Sequence, residues 1–132
     1  GTPFPIDDRR GIPKMIFKGT LEHFSEDTLA RFRRRMCGSS GQTEEFLSRT
    51  PTRTAEELRE ELAALAQGIT AYGSSSFIWD RAIIGNRDKI FPPRNQHEAW
   101  QGTEIMETEA EHYETSLFSR LLEGKGEEWT RH

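Results

Sequence analysis

The sequence is poor in cysteine and contains no long apolar run. A single cysteine among 132 residues, Cys37, leaves no pair for an internal disulfide, which fits a reducing compartment better than secretion. No stretch of about eighteen apolar residues could span a membrane, and the start lacks the basic-then-apolar pattern of a signal peptide. We therefore predict an intracellular protein, cytoplasmic or nuclear, that makes no membrane contact.

Apolar residues are also scarce, at 33% of the chain, which is lean for a domain of this size. The low fraction indicates frayed ends or a surface that a partner covers. The chain starts at Gly1 and Thr2 without a methionine, which we interpret as a fragment of a longer protein. Residues 1–36 are net basic and residues 98–132 net acidic, so the two ends either dock on each other or belong to independent helices.

The clearest element is a helix predicted over 54–72. Thr54 and Glu57 have the spacing of a capping box, and Gly73 supplies the stop. Apolar residues recur at steps of three and four, which places them on one helical face: Leu58, Leu62, Leu65, Ile69 and Tyr72.

Two further long helices are predicted over 24–36 and 103–123. Ser25 is a natural N-cap for the first, and an apolar face with the same spacing runs from Met106 to Leu121 in the second. The fold class is therefore mainly α, a bundle of three long helices with one or two short ones and at most a minor β pairing near the N terminus. Its dry interior is expected to contain four named side chains: Phe32, Leu62, Leu65 and Tyr113.

The remaining segments give weaker signals. Three prolines make residues 1–13 an extended arm, and 14–21 is a strand candidate. Residues 77–84 favour a helix over a strand that would turn at Gly85 toward 89–91. Residues 38–41 and 73–76 are predicted linkers, and 14–123 a single helical domain followed by a mobile tail over 124–132.

Four arginines on the 24–36 helix are the strongest charge feature: Arg31, Arg33, Arg34 and Arg35. Guanidinium groups match phosphate oxygens, so these residues are candidates for binding nucleic acid or another polyanion, together with Arg9, Arg10, Lys14 and Lys18. The alternative is that they complement the helix dipole, since Glu26 and Asp27 open the same helix. A solvated face or an acidic protein partner is the favoured interpretation.

Catalytic and metal signals are faint. Glu109 and His112 have the i, i+3 spacing used in di-metal bundles, but no second Glu-x-x-His pair exists in the sequence. Cys37 at a helix end is expected to be a buried apolar residue rather than a nucleophile. The glycine-containing linkers lack the pattern of a phosphate-binding loop. We predict no catalytic residue, no metal and no cofactor.

Four aromatic residues cluster around the prolines of the middle segment and are candidates for binding a partner or for packing in the core: Phe77, Trp79, Phe91 and Trp100. The favoured function is a protein-binding module, such as an adaptor, a regulatory subunit, a self-associating oligomer domain or an effector. The alternatives are nucleic-acid binding through the arginines and an enzyme that uses a Glu/His site on the last helix.

Overall fold

The computed structural model describes residues 1–72 and 77–124. This part of the chain contains six helices and two strands in the order α1 (Lys14–Glu22), α2 (Glu26–Cys37), α3 (Ser40–Arg49), α4 (Ala55–Tyr72), β1 (Arg81–Gly85), α5 (Pro93–Ala99), β2 (Glu104–Thr108) and α6 (Thr115–Leu122). Four consecutive helices therefore precede a strand–helix–strand unit. None of the described helices is both long and apolar enough to cross a bilayer.

The two strands pair in parallel. Their register runs from Arg81 opposite Glu104 to Gly85 opposite Thr108, and the Arg81 side chain donates to the Glu104 carboxylate across the pair at 2.7 Å. Parallel neighbours need a crossover connection, which α5 supplies here. The chain is thus an α/β structure, and the prediction of a three-helix bundle is wrong.

Two of the three predicted long helices are present as α2 and α4, with the predicted caps. The Ser25 hydroxyl accepts from the Thr28 amide at 3.2 Å, and the Thr28 hydroxyl accepts from the Ser25 amide at 2.8 Å. The Thr54 hydroxyl accepts from the Glu57 amide, while the Glu57 carboxylate accepts from the Thr54 amide. Both boxes satisfy first-turn donors locally, which is why sequence spacing alone predicts the box at Thr54 and the N-cap at Ser25.

The third long helix, predicted over 103–123, does not form. Its first part is β2, its middle is an irregular segment and only its end is helical, as α6. The backbone of β2 pairs with β1, and this long-range ladder overrides the helical preference of the glutamates in the segment. The favoured helix over 77–84 is wrong for the same reason, because β1 lies there and pairs with β2 rather than with 89–91.

The strand predicted over 14–21 is instead helix α1. The Asp8 carboxylate accepts from the amide of Lys14 at 2.8 Å, which caps its first turn. The Arg59 guanidinium of α4 donates to the Leu21 carbonyl at 3.0 Å near its other end. These contacts come from outside the segment, so its own residue preferences could not reveal them.

The linker predicted over 38–41 is also wrong. Gly38 ends α2 in a left-handed conformation, and the Ser39 hydroxyl accepts from the Gln42 amide to start α3 at once. Residues 1–13 form no helix but fold back, with a parallel bridge between Ile6 and Ile12. The linker predicted over 73–76 and residues 125–132 of the predicted tail lie outside the described residues.

The core of the described part is small. It contains Leu29, Cys37, Ala55, Ala82, Ile84, Ile90, Ala110 and Leu117. Of the four side chains expected in a dry interior, Leu65 is 57% exposed, and Phe32, Leu62 and Tyr113 are half-buried. The apolar stripe of α4 therefore does not close a helical bundle in this part of the chain.

Candidate active site

Asp88 lies in the turn that follows β1. Its Oδ1 accepts hydrogen bonds from the backbone amides of Ile90 at 2.8 Å and Phe91 at 2.9 Å, and its own amide donates to the Gly85 carbonyl. The residue is only 8% exposed. The turn thus holds a buried carboxylate in one orientation, with its second oxygen, Oδ2, directed elsewhere.

His112 occupies the corresponding place after β2. Beyond the strands, the amides of Asn86 and Arg87 donate to the carbonyls of Thr108 and Ala110 at 2.8 and 3.1 Å, so the two following loops stay side by side. His112 Nδ1 and Asp88 Oδ2 are 3.0 Å apart as a result. The two loops leave the carboxyl ends of neighbouring parallel strands, which is where α/β sheets place ligand and catalytic residues.

Gly85 allows this close approach. An added Cβ there would lie 2.5 Å from the Ala110 carbonyl oxygen, well inside van der Waals contact. A side chain at this position would push the segment that carries His112 away from β1. The glycine is therefore required by the packing of the two loops rather than by its own backbone angles.

The electrostatic balance keeps Asp88 ionised. Burial acts to raise the pKa of this carboxyl, but the hydrogen bond and charge of His112 and the amides of Phe91 and Ile90 outweigh it, so the pKa lies below its ordinary value of 3.8. An ionised Oδ2 accepts the proton on Nδ1 of His112. This leaves the lone pair of Nε2 available on the other side of the ring.

The imidazole is fixed from its face as well as its edge. The Phe91 ring stacks on it with 5.8 Å between centroids and 8° between planes. The His112 side chain is 26% exposed, whereas that of Asp88 is 6% exposed. Serine hydrolases use the same pairing of a buried carboxylate with an imidazole as their acid–base half.

A groove of about 660 Å³ lies among the helices, and neither Asp88 nor His112 lines it. Its walls are mainly apolar side chains of α1, α2 and α4, including Ile16, Phe32, Leu62 and Leu65. Ile90, whose amide holds Asp88, is also part of the lining. Ile90 is thus the one residue that both lines the groove and bonds to Asp88, and the lining has the apolar character of a site for an acyl or alkyl group.

Comparison with known proteins identifies the family. Residues 1–123 match the model of the family described as "Pimeloyl-ACP methyl esterase BioG". The chain belongs to the BioG family. The predictions of an adaptor, an effector or another non-enzymatic binding module are therefore wrong, because this family is named for an enzymatic activity.

Two curated relatives are similar over most of this BioG-family chain. A protein of Bacteroides fragilis (strain 638R) named "Malonyl-[acyl-carrier protein] O-methyltransferase" is 49% identical over 124 residues, which are 92% of this chain and 25% of that protein. An uncharacterised protein of Haemophilus influenzae is 42% identical over 121 residues, which are 90% of this chain and 56% of the relative.

The fold comparison agrees. The crystal structure of selenomethionine-labelled BioG from Haemophilus influenzae matches with a TM-score of 0.81 and 41% identity, over 89% of this chain and 55% of that one. The chain thus spans about a quarter to a little over half of the length of the proteins it matches. What those whole proteins do is transferred to this chain only as a proposal.

The candidate metal pair does not come together. Glu109 pairs with Arg87 at 3.1 Å, whereas His112 bonds to Asp88. In residues 1–72 and 77–124, no cluster of three or more His, Cys, Asp or Glu side chains is arranged to hold a metal ion. Cys37 is buried as predicted, and burial raises the pKa of its thiol.

The four candidate partner-binding aromatics separate into two groups. Phe77 and Trp79 are 65% and 49% exposed and contact each other edge-on at 4.8 Å, and Trp79 meets Trp100 in the same manner at 6.0 Å. Phe91, in contrast, packs against His112 in the site. Partner binding by the exposed group stays a prediction.

The four arginines do not form one surface. Arg33 lies 6.0 Å from the centre of the Phe46 ring, and Arg35 donates to the Lys89 carbonyl at 3.1 Å, beside the Asp88 turn. Arg31 and Arg35 line the groove, and Arg34 is exposed.

Arg9 and Arg10 of the basic arm pair with Glu98 and Asp7. Nothing in this arrangement supports nucleic-acid binding.

Asp88 was not among the predicted site residues, although a signal for it exists. Asp88 lies four residues after Ile84 of β1, and His112 lies four residues after Thr108, the end of β2. The acid therefore precedes the histidine in the chain. This is the order of the last two members of an α/β-hydrolase triad. The pattern becomes visible only when 104–108 is recognised as a strand.

Proposed function

We propose that the protein hydrolyses the methyl ester of an acyl group carried on an acyl carrier protein. In this proposal His112 is the general base and Asp88 is the carboxylate that orients it. The observation that supports it most directly is the 3.0 Å contact between His112 Nδ1 and the buried Asp88 carboxylate at the carboxyl ends of two parallel strands. Membership of a family described as a methyl esterase agrees with this chemistry.

In the proposed reaction, His112 Nε2 takes the proton of a serine hydroxyl while the serine oxygen bonds to the ester carbonyl carbon. The imidazolium then gives that proton to the departing methoxide, which leaves as methanol. Water repeats both steps on the acyl-enzyme and releases the carboxylic acid. The net reaction consumes one ester and one water and yields one acid and one methanol.

The serine is not assigned. In α/β-hydrolases the nucleophile precedes the acid and the histidine in the chain, so it is expected on the N-terminal side of Asp88. In the residues that the structure describes, no serine hydroxyl is hydrogen-bonded to His112. Labelling of the full-length protein with a fluorophosphonate, which reacts with a serine that a histidine activates, followed by peptide mass mapping, identifies the residue.

The groove supports an acyl substrate. Its apolar lining includes Ile90, whose amide binds Asp88, and comes mostly from α1, α2 and α4. Arg31 and Arg35 lie on the same lining and suit an anionic group of the carrier or of its prosthetic arm. The names of the family and of the Bacteroides fragilis relative both concern a methyl group on an acyl chain held by acyl carrier protein.

The test is methanol release from an acyl-carrier-protein methyl ester by the full-length protein. We expect His112→Ala and Asp88→Asn each to lower kcat by roughly a thousandfold or more, because the first removes the base and the second reverses the hydrogen bond that fixes its tautomer. His97→Ala is the matched control, since His97 pairs with Glu107 on the surface. Full activity of His112→Ala would refute the proposal.

A further inference from the structure

Gln96 is a polar side chain that is almost completely removed from solvent. It is 1% exposed, in the middle of α5, which connects the two strands. A buried amide must find hydrogen-bond partners or destabilise the fold. The hydrogen-bond partners of Gln96 therefore indicate its role.

Both partners of the Gln96 amide nitrogen belong to the Asp88 turn. Nε2 donates to the Phe91 carbonyl at 2.8 Å and to Asp88 Oδ2 at 3.3 Å. Both are acceptors, so the amide must present its nitrogen to them, and its orientation is fixed. Oδ2 is the same oxygen that His112 Nδ1 contacts.

The Asp88 carboxylate is thus held by four donors. The amides of Ile90 and Phe91 donate to Oδ1, whereas Gln96 Nε2 and His112 Nδ1 donate to Oδ2. The two backbone donors alone would still allow a small rotation of the carboxylate plane about its Cβ–Cγ bond. The hydrogen bond from Gln96 restricts this rotation at Oδ2, the oxygen that contacts the imidazole.

We infer that Gln96 is a positioning residue, which holds Asp88 Oδ2 on the line to His112 Nδ1 and so keeps the imidazole aligned for proton transfer. This inference rests on the proposed function. Gln96 does not touch the reacting atoms, and it acts through Asp88. Of the neighbouring charges, Arg87 pairs with Glu109 and Arg35 binds the Lys89 carbonyl, whereas the amino group of Gly1 interacts electrostatically with Asp88.

The first test is Gln96→Met, which keeps the volume of the side chain and removes both donors. In the full-length protein we expect kcat for methyl ester hydrolysis to fall about tenfold, the effect of losing one hydrogen bond to a charged group, with KM unchanged. The low-field proton resonance of His112 Nδ1–H should broaden, because Asp88 is no longer fixed. Gln101→Met, at an exposed glutamine two residues beyond α5, is the control and should change neither quantity.

The second test is Gln96→Glu, which places a carboxyl group against two acceptors, Asp88 Oδ2 and the Phe91 carbonyl. Two carboxylates in one buried site do not both ionise readily, so this carboxyl keeps its proton near neutral pH and can donate to Asp88. We therefore expect kcat near the parental value at neutral pH and an additional fall at higher pH, where the shared proton is lost. A residue with a purely structural role would not give this additional fall. If Gln96→Met does not fold, the profile of Gln96→Glu decides alone.

The outcomes separate the two proposals. Parental kcat, pH profile and His112 resonance in both Gln96 variants, with activity abolished in His112→Ala, would overturn the inference about Gln96 and leave the proposed function in place. Unchanged hydrolysis in His112→Ala would overturn the proposed function. The resonance of His112 can be recorded without any substrate, so the positioning role is measurable in either case.

Discussion

At the scale of single residues, Asp88 links the stability of the fold to pH. Its pKa in the folded chain lies below the ordinary value of 3.8, so the folded state binds fewer protons than the unfolded state around that pH. The stabilisation from the carboxylate is complete above the unfolded value. It is lost as the pH falls through the lower, folded value.

This linkage gives a measurable prediction. The free energy of unfolding of the parent should fall more steeply between pH 5 and pH 3 than that of Asp88→Asn, by a difference on the order of 1 kcal/mol per unit of pKa displacement. Urea unfolding monitored by circular dichroism at several pH values measures both curves. Asp80→Asn, at an exposed aspartate, controls for the loss of one negative charge. Parallel curves for parent and Asp88→Asn would contradict the assignment.

At the scale of elements, the helices whose caps are close in sequence were predicted correctly, whereas the strands that pair over a long sequence separation were not. The caps at Ser25 and Thr54 are satisfied within three residues of sequence, so α2 and α4 could be predicted close to their observed bounds. The strand β2 exists because β1 lies beside it, twenty-three residues away in register. No window of the sequence around Ile105 contains that partner.

The candidate site was missed for the same reason. With 103–123 taken as one helix, Glu109 and His112 share a face and suggest metal chemistry. With β2 in place, the chain turns after Thr108 and His112 meets Asp88 instead. The residue types were visible in the sequence, but their neighbours depend on a pairing between strands that only the folded chain reveals.

The contact between the two loops predicts the effect of a substitution at the end of β1. Gly85→Ala would place a Cβ 2.5 Å from the Ala110 carbonyl, so the backbone must shift. We expect a loss of roughly 1–3 kcal/mol in the free energy of unfolding, together with a lower kcat. Gly68→Ala, in α4 with open space around it, is the control and should be neutral or slightly stabilising. Thermal unfolding and ester hydrolysis measure the two effects.

At the scale of the whole molecule, part of the apolar stripe of α4 lines a groove, which under the proposed function receives the acyl chain. Leu65 and Leu62 line the groove, and Leu65 is 57% exposed although it lies on a well-formed helix. Their spacing predicts an amphipathic helix correctly. It does not distinguish a face packed on protein from a face that receives a ligand.

Substitution of Leu65 tests this role. Leu65→Ser should raise KM about tenfold for a long-chain acyl methyl ester, through the loss of apolar contact, and leave a short-chain methyl ester almost unaffected. Leu122→Ser, at an exposed leucine of α6 outside the groove, is the control. Equal KM values of Leu65→Ser and the parent for both esters would show that the acyl chain lies elsewhere.

The order of elements along the chain has an evolutionary consequence. Helices α1 to α4 come first and provide most of the groove, and the strand–helix–strand unit that carries Asp88, Gln96 and His112 follows them without interleaving. Under the proposed function, substitutions in the groove-lining residues of α1, α2 and α4 would alter which acyl groups are accepted while Asp88, Gln96 and His112 stay unchanged. Substrate preference could then diverge among descendants that retain the same acid–base pair.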